Sequence, residues 1–373
     1  MLEVFDVGPC EDAHQMGFLI GRRFSTMIRS RVATDLILQH QLIPFSRKPQ
    51  SQPFIQALST ANRKRFPRYW DEMVGTAEGS GVSVLDILLL NFRKEILPFI
   101  PKNEESTAVD AAADAEDCSD VLVVNESMAV AAHNEDANVA LIGHVYLLRA
   151  KMSNGLSFTA YTYAGELPSC AFGFNSHGLA FTLNSVPPLK EEIVAQGIGR
   201  NFISRDLLES NGLDDALERI RSSDASVGHS YNLIDVRDRR ILNVETASMN
   251  RISVQEVGST PFFHANMYLH LPVKQMIDPT VNNGLDDGLF SVKAHDENSI
   301  NRQRRAAHLS KQSKPDILSL LGDSSDDEKY PIYMQGPTLH TLCTVLIDLD
   351  ERTLSIIQGN PKKQEFSHVF SMS

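Results

Sequence analysis

The hydrophobic period of this chain changes at residue 117, and that change limits the folds open to it. Before it, Met16, Leu19, Ile20, Phe24, Met27 and Ile28 form one apolar stripe at helical spacing. Residues 10–100 therefore read mainly as helix. Ser83-x-x-Asp86 stands ahead of the apolar run 87–90 as a helix start, with Asp where a capping box has Glu. After residue 117, short β-branched or aromatic runs at 121–124, 128–132, 156–163 and 179–183 predict strands separated by Asn, Gly and Ser turns. Helical periodicity returns over 201–221, and strands are expected again at 241–246 and 252–257. A hairpin, 342–349 with 353–357, closes the chain. The Asn/Asp/Gly-rich stretch 278–301 reads as a mobile excursion. Helices first and strands later predict an α+β fold with antiparallel sheets, not the alternating order of a doubly wound one.

The two regimes meet at 102–117, a small, acidic segment whose one large apolar residue is Val109. This is linker composition, and it divides the chain into 1–117 and 118–373. Apolar residues make up 42% of the chain, enough for a sizeable core. The net charge of −12 is shared by both parts, which argues against a nucleic-acid or anionic-membrane partner. No apolar run reaches the ~18 residues of a membrane span; the nearest, 82–92, is interrupted by Asp86 and Asn91. The first residues lack a basic stretch followed by an apolar one. Cys10, Cys118, Cys170 and Cys343 are far apart and form no C-x-x-C, so a reducing, cytoplasmic setting is expected.

Most catalytic signatures are missing. There is no His-Glu-x-x-His, no Cys/His quartet, no phosphate-binding glycine loop and no G-x-S-x-G elbow. The sequence therefore calls for neither a metal nor a cofactor. Cys118 is different, because it ends the acidic linker and precedes the first clear strand. A cut between Asp117 and Cys118 would make it an N-terminal residue. Such a cysteine carries its own base, an α-amine with a reference pKa near ~7.7–8, beside a strongly nucleophilic thiol. The plain alternative is a small buried hydrophobe.

Asp117-Cys118-Ser119 is followed by His133-Asn134-Glu135-Asp136, with Asp136 eighteen residues after the cysteine. This pairing resembles the acyl-coenzyme A:6-aminopenicillanate acyltransferase and β-alanyl-dopamine hydrolase-like family. Phe66-Pro-Arg-Tyr-Trp70, Asn91-Phe-Arg93, Gly173-Phe-Asn175-Ser-His-Gly178, His264-Ala-Asn266, Asn301-Arg302-Gln303-Arg304 and Gly359-Asn360-Pro361 match in order along the chain. The resemblance implies the four-layer αββα sandwich of N-terminal-nucleophile hydrolases. It also implies self-cleavage into a 1–117 α chain and a 118–373 β chain. Cys118 would then form or cleave the amide of a small N-acyl amine through a thioester.

Residue by residue, it implies that Asn266 and Asn175 supply oxyanion donors. Asp136 would hold the new α-ammonium. Each of the three could instead serve a loop or an Asx turn. Three departures stand out. Asp117 replaces the usual Gly before the nucleophile. His133 replaces Gln or Arg, and could titrate near neutrality or be a satisfied core histidine. Thr338 falls where the 6-aminopenicillanate acyltransferases of the family have Arg, leaving His340 as the nearest basic group and, with His133, a candidate for substrate binding. The competing readings are an unprocessed, non-catalytic member acting as a binding or scaffold protein, and an unrelated α+β enzyme with a structural Cys118.

Overall fold

A computed structural model describes residues 2–101, 117–186, 190–273, 290–324 and 330–372, with the backbone alone for 290–296. Its strands are β1 (Val4–Val7), β2 (Ser119–Val124), β3 (Ala129–Asn138), β4 (Val145–Lys151), β5 (Ser157–Tyr163), β6 (Phe172–Asn175), β7 (Leu179–Ser185), β8 (His229–Asp235), β9 (Arg240–Ala247), β10 (Arg251–Glu256), β11 (Phe262–His264), β12 (Leu339–Asp348), β13 (Thr353–Ile357) and β14 (Phe366–Ser371). They form an eight-stranded sheet in the order β1-β4-β5-β6-β7-β8-β9-β10 and a six-stranded sheet in the order β11-β2-β3-β12-β13-β14. Every pairing is antiparallel except β1 with β4.

Side-chain alternation sorts the core into three layers. Phe158, Phe181, Leu233 and Val244 of the large sheet pack against Ile20, Ile28, Met73, Leu89 and Phe202 of the helices outside it. The opposite face, with Tyr161, Phe172 and Ile234, meets Leu122, Ala131, Val345 and Ile356 of the small sheet. The outer face of the small sheet, Val121, Val130 and Leu346, lies on Ala306, Ile317 and Leu321. The architecture is thus a four-layer αββα sandwich.

The helical layer on the large sheet draws on both sides of residue 117. Helix Ala13–Arg23 lies directly on helix Pro67–Ser80. Gly17 and Gly21 face Gly75 and Gly79, and a Cβ at Gly17 would sit 1.9 Å from the carbonyl oxygen of Glu72. Only glycine permits backbones this close. Helix Pro67–Ser80 is tied in turn to helix Arg200–Leu207, because Arg205 Nε donates to Glu72 at 3.0 Å in a fully buried ion pair. The Arg205 guanidinium lies 4.6 Å from the Tyr69 ring centre, a cation–π contact. Residues before and after 117 therefore share one core.

The structure departs from the expected elements in places. The helix expected over 201–221 is two, Arg200–Leu207 and Leu213–Arg221, separated at Asn211-Gly212 where Gly212 takes φ +136°. The second half of the expected 278–301 excursion is helical, within Phe290–His308; residues 278–289 lie outside the described residues, as do 102–116 of the linker. Asp117 itself is not exposed linker: it is 2% exposed. Among the described residues, no helix is long and apolar enough to cross a membrane.

Candidate active site

Cys118 stands one residue before β2, 3% exposed. Leu122 faces the gap between the sheets, so alternation turns Asp120 and Cys118 the same way. β3 runs antiparallel alongside, with Asp120 opposite His133 and Ser119 opposite Asn134. His133 and Glu135 therefore share the nucleophile's face, and Asp136 takes the other. The segment 134–138 does not form the Asx turn left open as the alternative for Asp136; it continues β3, paired with 339–344 of β12.

On the inter-sheet face the polar groups interlock. The Cys118 thiol donates to Glu135 Oε2 at 3.4 Å. His133 Nε2 lies 3.0 Å from the same oxygen and its Nδ1 2.8 Å from Asp120 Oδ1. The Tyr163 hydroxyl donates to Glu135 Oε1. Thr182 Oγ1 donates to Asp120 at 3.0 Å, Asn232 Nδ2 to Thr182 at 2.8 Å, and Asn243 Nδ2 to Asn232 at 2.7 Å. This chain of donors crosses the large sheet and ends on the Asp120 carboxylate. Burial alone would lower the pKa of His133, but Asp120 and Glu135 outweigh it and raise it to about 10. The two carboxylates thus favour the protonated imidazole at neutral pH, and His133 is fully buried, on the core side of the two readings the sequence leaves open for it.

The residues flanking the Asp117–Cys118 bond are held from the helix side. Arg302, fully buried, donates from Nη1 to the Cys118 carbonyl and to Ser119 Oγ, both at 2.8 Å. Its Nη2 reaches Asn266 Oδ1 at 3.0 Å and its Nε reaches Asn298 Oδ1 at 2.7 Å. Asn298, one helical turn earlier, donates to Asp117 Oδ2 at 2.7 Å. The Asp117 N–H donates to the Asp136 carbonyl at 3.2 Å, and Cys118 Sγ lies 3.8 Å from that oxygen. Arg302 lies in the matching segment Asn301-Arg302-Gln303-Arg304, yet the sequence assigns no role to it or to Asn298; a buried Arg one turn from an Asn on a helix is a signal only once the helix is placed.

The two asparagines separate. His264 pairs with Asp120, which brings Asn266 level with Cys118. Its Nδ2 donates to Ser185 O at 2.9 Å. Asn175, by contrast, closes a turn. Its Nδ2 donates to the carbonyls of Leu208 and Ser210 at 3.2 and 2.8 Å, and its Oδ1 accepts from His177 N at 2.9 Å. That is the turn role the sequence left open beside the oxyanion one. Asn184 was not singled out. It shares with Thr182 the inter-sheet face of β7 and precedes Ser185. It is fully buried, and neither amide atom has a hydrogen-bond partner among the described residues.

Asp136 accepts from the Thr341 hydroxyl through Oδ1, while Oδ2 is buried with no partner among the described residues. Burial raises its carboxyl to about 8, against the opposing pull of Thr341 and Arg302. His340 is half-buried on β12 opposite Ala137.

A cavity of about 320 Å³ is lined by Tyr163, Ala137 and Thr338; Cys118, His133 and Glu135 are not part of its wall, and Tyr163, which donates to Glu135, is the link between the two. Helices before residue 117 and strands after it both supply its wall. Two ion pairs face it: Arg31 with Glu166 at 2.6 Å and Arg93 with Asp35 at 2.6 Å. Arg31 Nε is buried and has no hydrogen-bond partner among the described residues. The ligand-type atoms of Cys118, His133 and Glu135 lie within 4.8 Å of one another. A metal there would have to displace the proton that Asp120 and Glu135 favour on His133.

The sequence model of the acyl-coenzyme A:6-aminopenicillanic acid acyl-transferase family matches residues 123–363. The chain belongs to this family. It is 26% identical over 381 aligned positions to the β-alanyl-dopamine/carcinine hydrolase of Drosophila melanogaster, covering 94% of this chain and 92% of that one. Among solved structures it is remotely similar to a mutant form of conjugated bile acid hydrolase from Clostridium perfringens, at 10% identity and a TM-score of 0.35 over 68% of this chain and 91% of that one. Penicillin V acylase from Agrobacterium tumefaciens stands at 10% identity and 0.34, over 65% and 83%. As a member of the acyl-transferase family the chain is an enzyme of the amide hydrolase and acyltransferase class.

Proposed function

We propose that the chain cuts itself between Asp117 and Cys118, and that Cys118 then cleaves the amide of a small N-acyl amine through a thioester. The observation that carries this reading is the placement of Cys118. Its thiol is buried where the helical and strand regimes meet, with Arg302 and Asn298 gripping the residues on both sides of the bond. In self-cleavage, Sγ attacks the Asp117 carbonyl carbon, the C–N bond breaks, and water hydrolyses the thioester. The α chain, 1–117, and the β chain, 118–373, remain one body, because the Arg205–Glu72 pair and the shared helical layer span the cut.

In turnover, the freed amine of Cys118 takes the thiol proton. The thiolate attacks the substrate carbonyl, and the amide of Asn266 donates to the oxyanion. Asn184 is the second buried amide at this place, in the role the sequence assigns to Asn175. The amine leaves with the proton, and water releases the acid. Asp136, whose carboxyl burial raises to about 8, has an oxygen without a partner among the described residues to offer the new ammonium. The cavity is of the size that binds small molecules. The insect relative's name, a hydrolase of β-alanyl-dopamine and carcinine, favours water over an amine as the acceptor. The test is a panel of N-acyl amines assayed for free amine, with Cys118→Ala as blank. Release by the wild type alone supports the reading; equal release by both proteins, or none from any amide, refutes it.

A further inference from the structure

Resting on that reading of self-cleavage, we propose that Glu135 is the base that starts it. While the chain is whole, the nitrogen of Cys118 is an amide and cannot accept a proton. The base that serves turnover therefore does not yet exist, and the first attack needs another group in contact with the thiol. Glu135 Oε2 is the acceptor of the Sγ–H bond, at 3.4 Å. Its place follows from strand alternation: it shares the inter-sheet face with Cys118, whereas Asp136 points to the helices. His133 and Tyr163 donate to its two oxygens and fix its orientation. The His133 cation also stays beside the thiolate as it forms, where its charge stabilises the negative sulfur.

The proton inventory closes without any outside group. The thiol proton passes to Glu135 Oε2 as the Sγ–C bond to the Asp117 carbonyl forms. When the C–N bond breaks, Glu135 returns that proton to the departing nitrogen of Cys118. Water then splits the thioester into the Asp117 carboxyl group and the Cys118 thiol. Glu135 ends as it began, and the new amine becomes the base for all later cycles. One thiol is thus served by two bases in succession, one built into β3 and one made by the reaction.

The experiment follows cutting of freshly purified full-length chains on denaturing gels, with the new N-terminal cysteine titrated by 2-cyanobenzothiazole. Glu135→Gln is expected to slow cutting by ~10²–10⁴-fold, the usual worth of a general base. Turnover per titrated N-terminal cysteine should fall by a much smaller factor. Glu135→Ala should be equally slow, and formate, a carboxylate small enough for the vacated space, should speed its cutting in a saturable way while chloride does not. Circular dichroism checks that each variant is folded. Should both fail to fold, Glu135→Asp keeps a carboxylate one methylene farther away and should cut at an intermediate rate; an unchanged rate overturns the assignment. Wild-type cutting rates in folded Glu135→Gln overturn it too, as does a folded Glu135→Ala that ignores formate. If the wild-type chain itself stays whole, the self-cleavage reading is what fails.

Discussion

Asp136 makes the whole chain sensitive to pH in a way that one substitution should abolish. Its carboxyl is buried and raised to about 8, against an ordinary value of 3.8. A raised carboxyl holds its proton in the folded state and loses it in the unfolded one. Its contribution to stability is therefore full below pH ~3.8, declines as pH climbs, and stops changing above about 8. Between pH 5 and pH 8 the loss covers three pH units at ~1.36 kcal/mol each, or roughly 4 kcal/mol. That is a large part of the ~5–15 kcal/mol by which a domain is stable. Asp136→Asn keeps the shape and cannot titrate. The comparison is made in a Cys118→Ala background, which keeps the chain whole, by urea unfolding at pH 5, 6, 7 and 8. The difference between the two proteins should swing by roughly 4 kcal/mol in favour of Asp136→Asn as pH rises from 5 to 8. A constant difference would refute the reasoning, since it would mean that Asp136 ionises normally despite its burial. In the cut wild-type enzyme the swing should shrink, because the new ammonium gives Asp136 a reason to ionise.

The remaining expectations concern the site. Asn266→Ala should lower kcat by ~10²–10³-fold with KM little changed. Asn175→Ala should instead lower thermal stability, because two backbone carbonyls lose their donor, with kcat per folded molecule near normal; steady-state kinetics beside thermal melts separates the two. Arg302→Lys should slow self-cleavage on denaturing gels, because an ammonium cannot reproduce the guanidinium fork to the Cys118 carbonyl, Ser119, Asn266 and Asn298. With His133 cationic up to about pH 10, KM should show no limb from that residue near pH 6.5; a limb there that vanishes in His133→Gln would contradict the buried ion cluster.

The position of Cys118 was legible because a change of period, a change of composition and a nucleophile fall at one place. Its partner was not. Glu135 and Asp136 are adjacent carboxylates, and only strand register decides which one meets the thiol. Asn134-Glu135-Asp136-Ala137-Asn138 has turn composition, yet β12 supplies backbone partners that keep it extended; tertiary pairing overrides local preference there. The break at Asn211-Gly212 and the start of helix Lys314–Leu321 did carry local signals. Ser313 accepts from the Asp316 N–H at 3.2 Å as a helix cap. Arg302 lies 184 residues from Cys118, beyond any reading by spacing alone. The four layers followed from the resemblance; periodicity by itself reached only α+β with antiparallel sheets.

Intact-mass spectrometry of the purified protein, with and without an N-acyl amine substrate, tests the central claim most directly. The expected result is two species, residues 1–117 and a second beginning at Cys118. The second should gain the mass of the acyl group when substrate is quenched in acid, and Cys118→Ala should give the uncut 41.4 kDa chain. A wild-type protein that remains at 41.4 kDa, or a Cys118→Ala protein cut at the same bond, would contradict it.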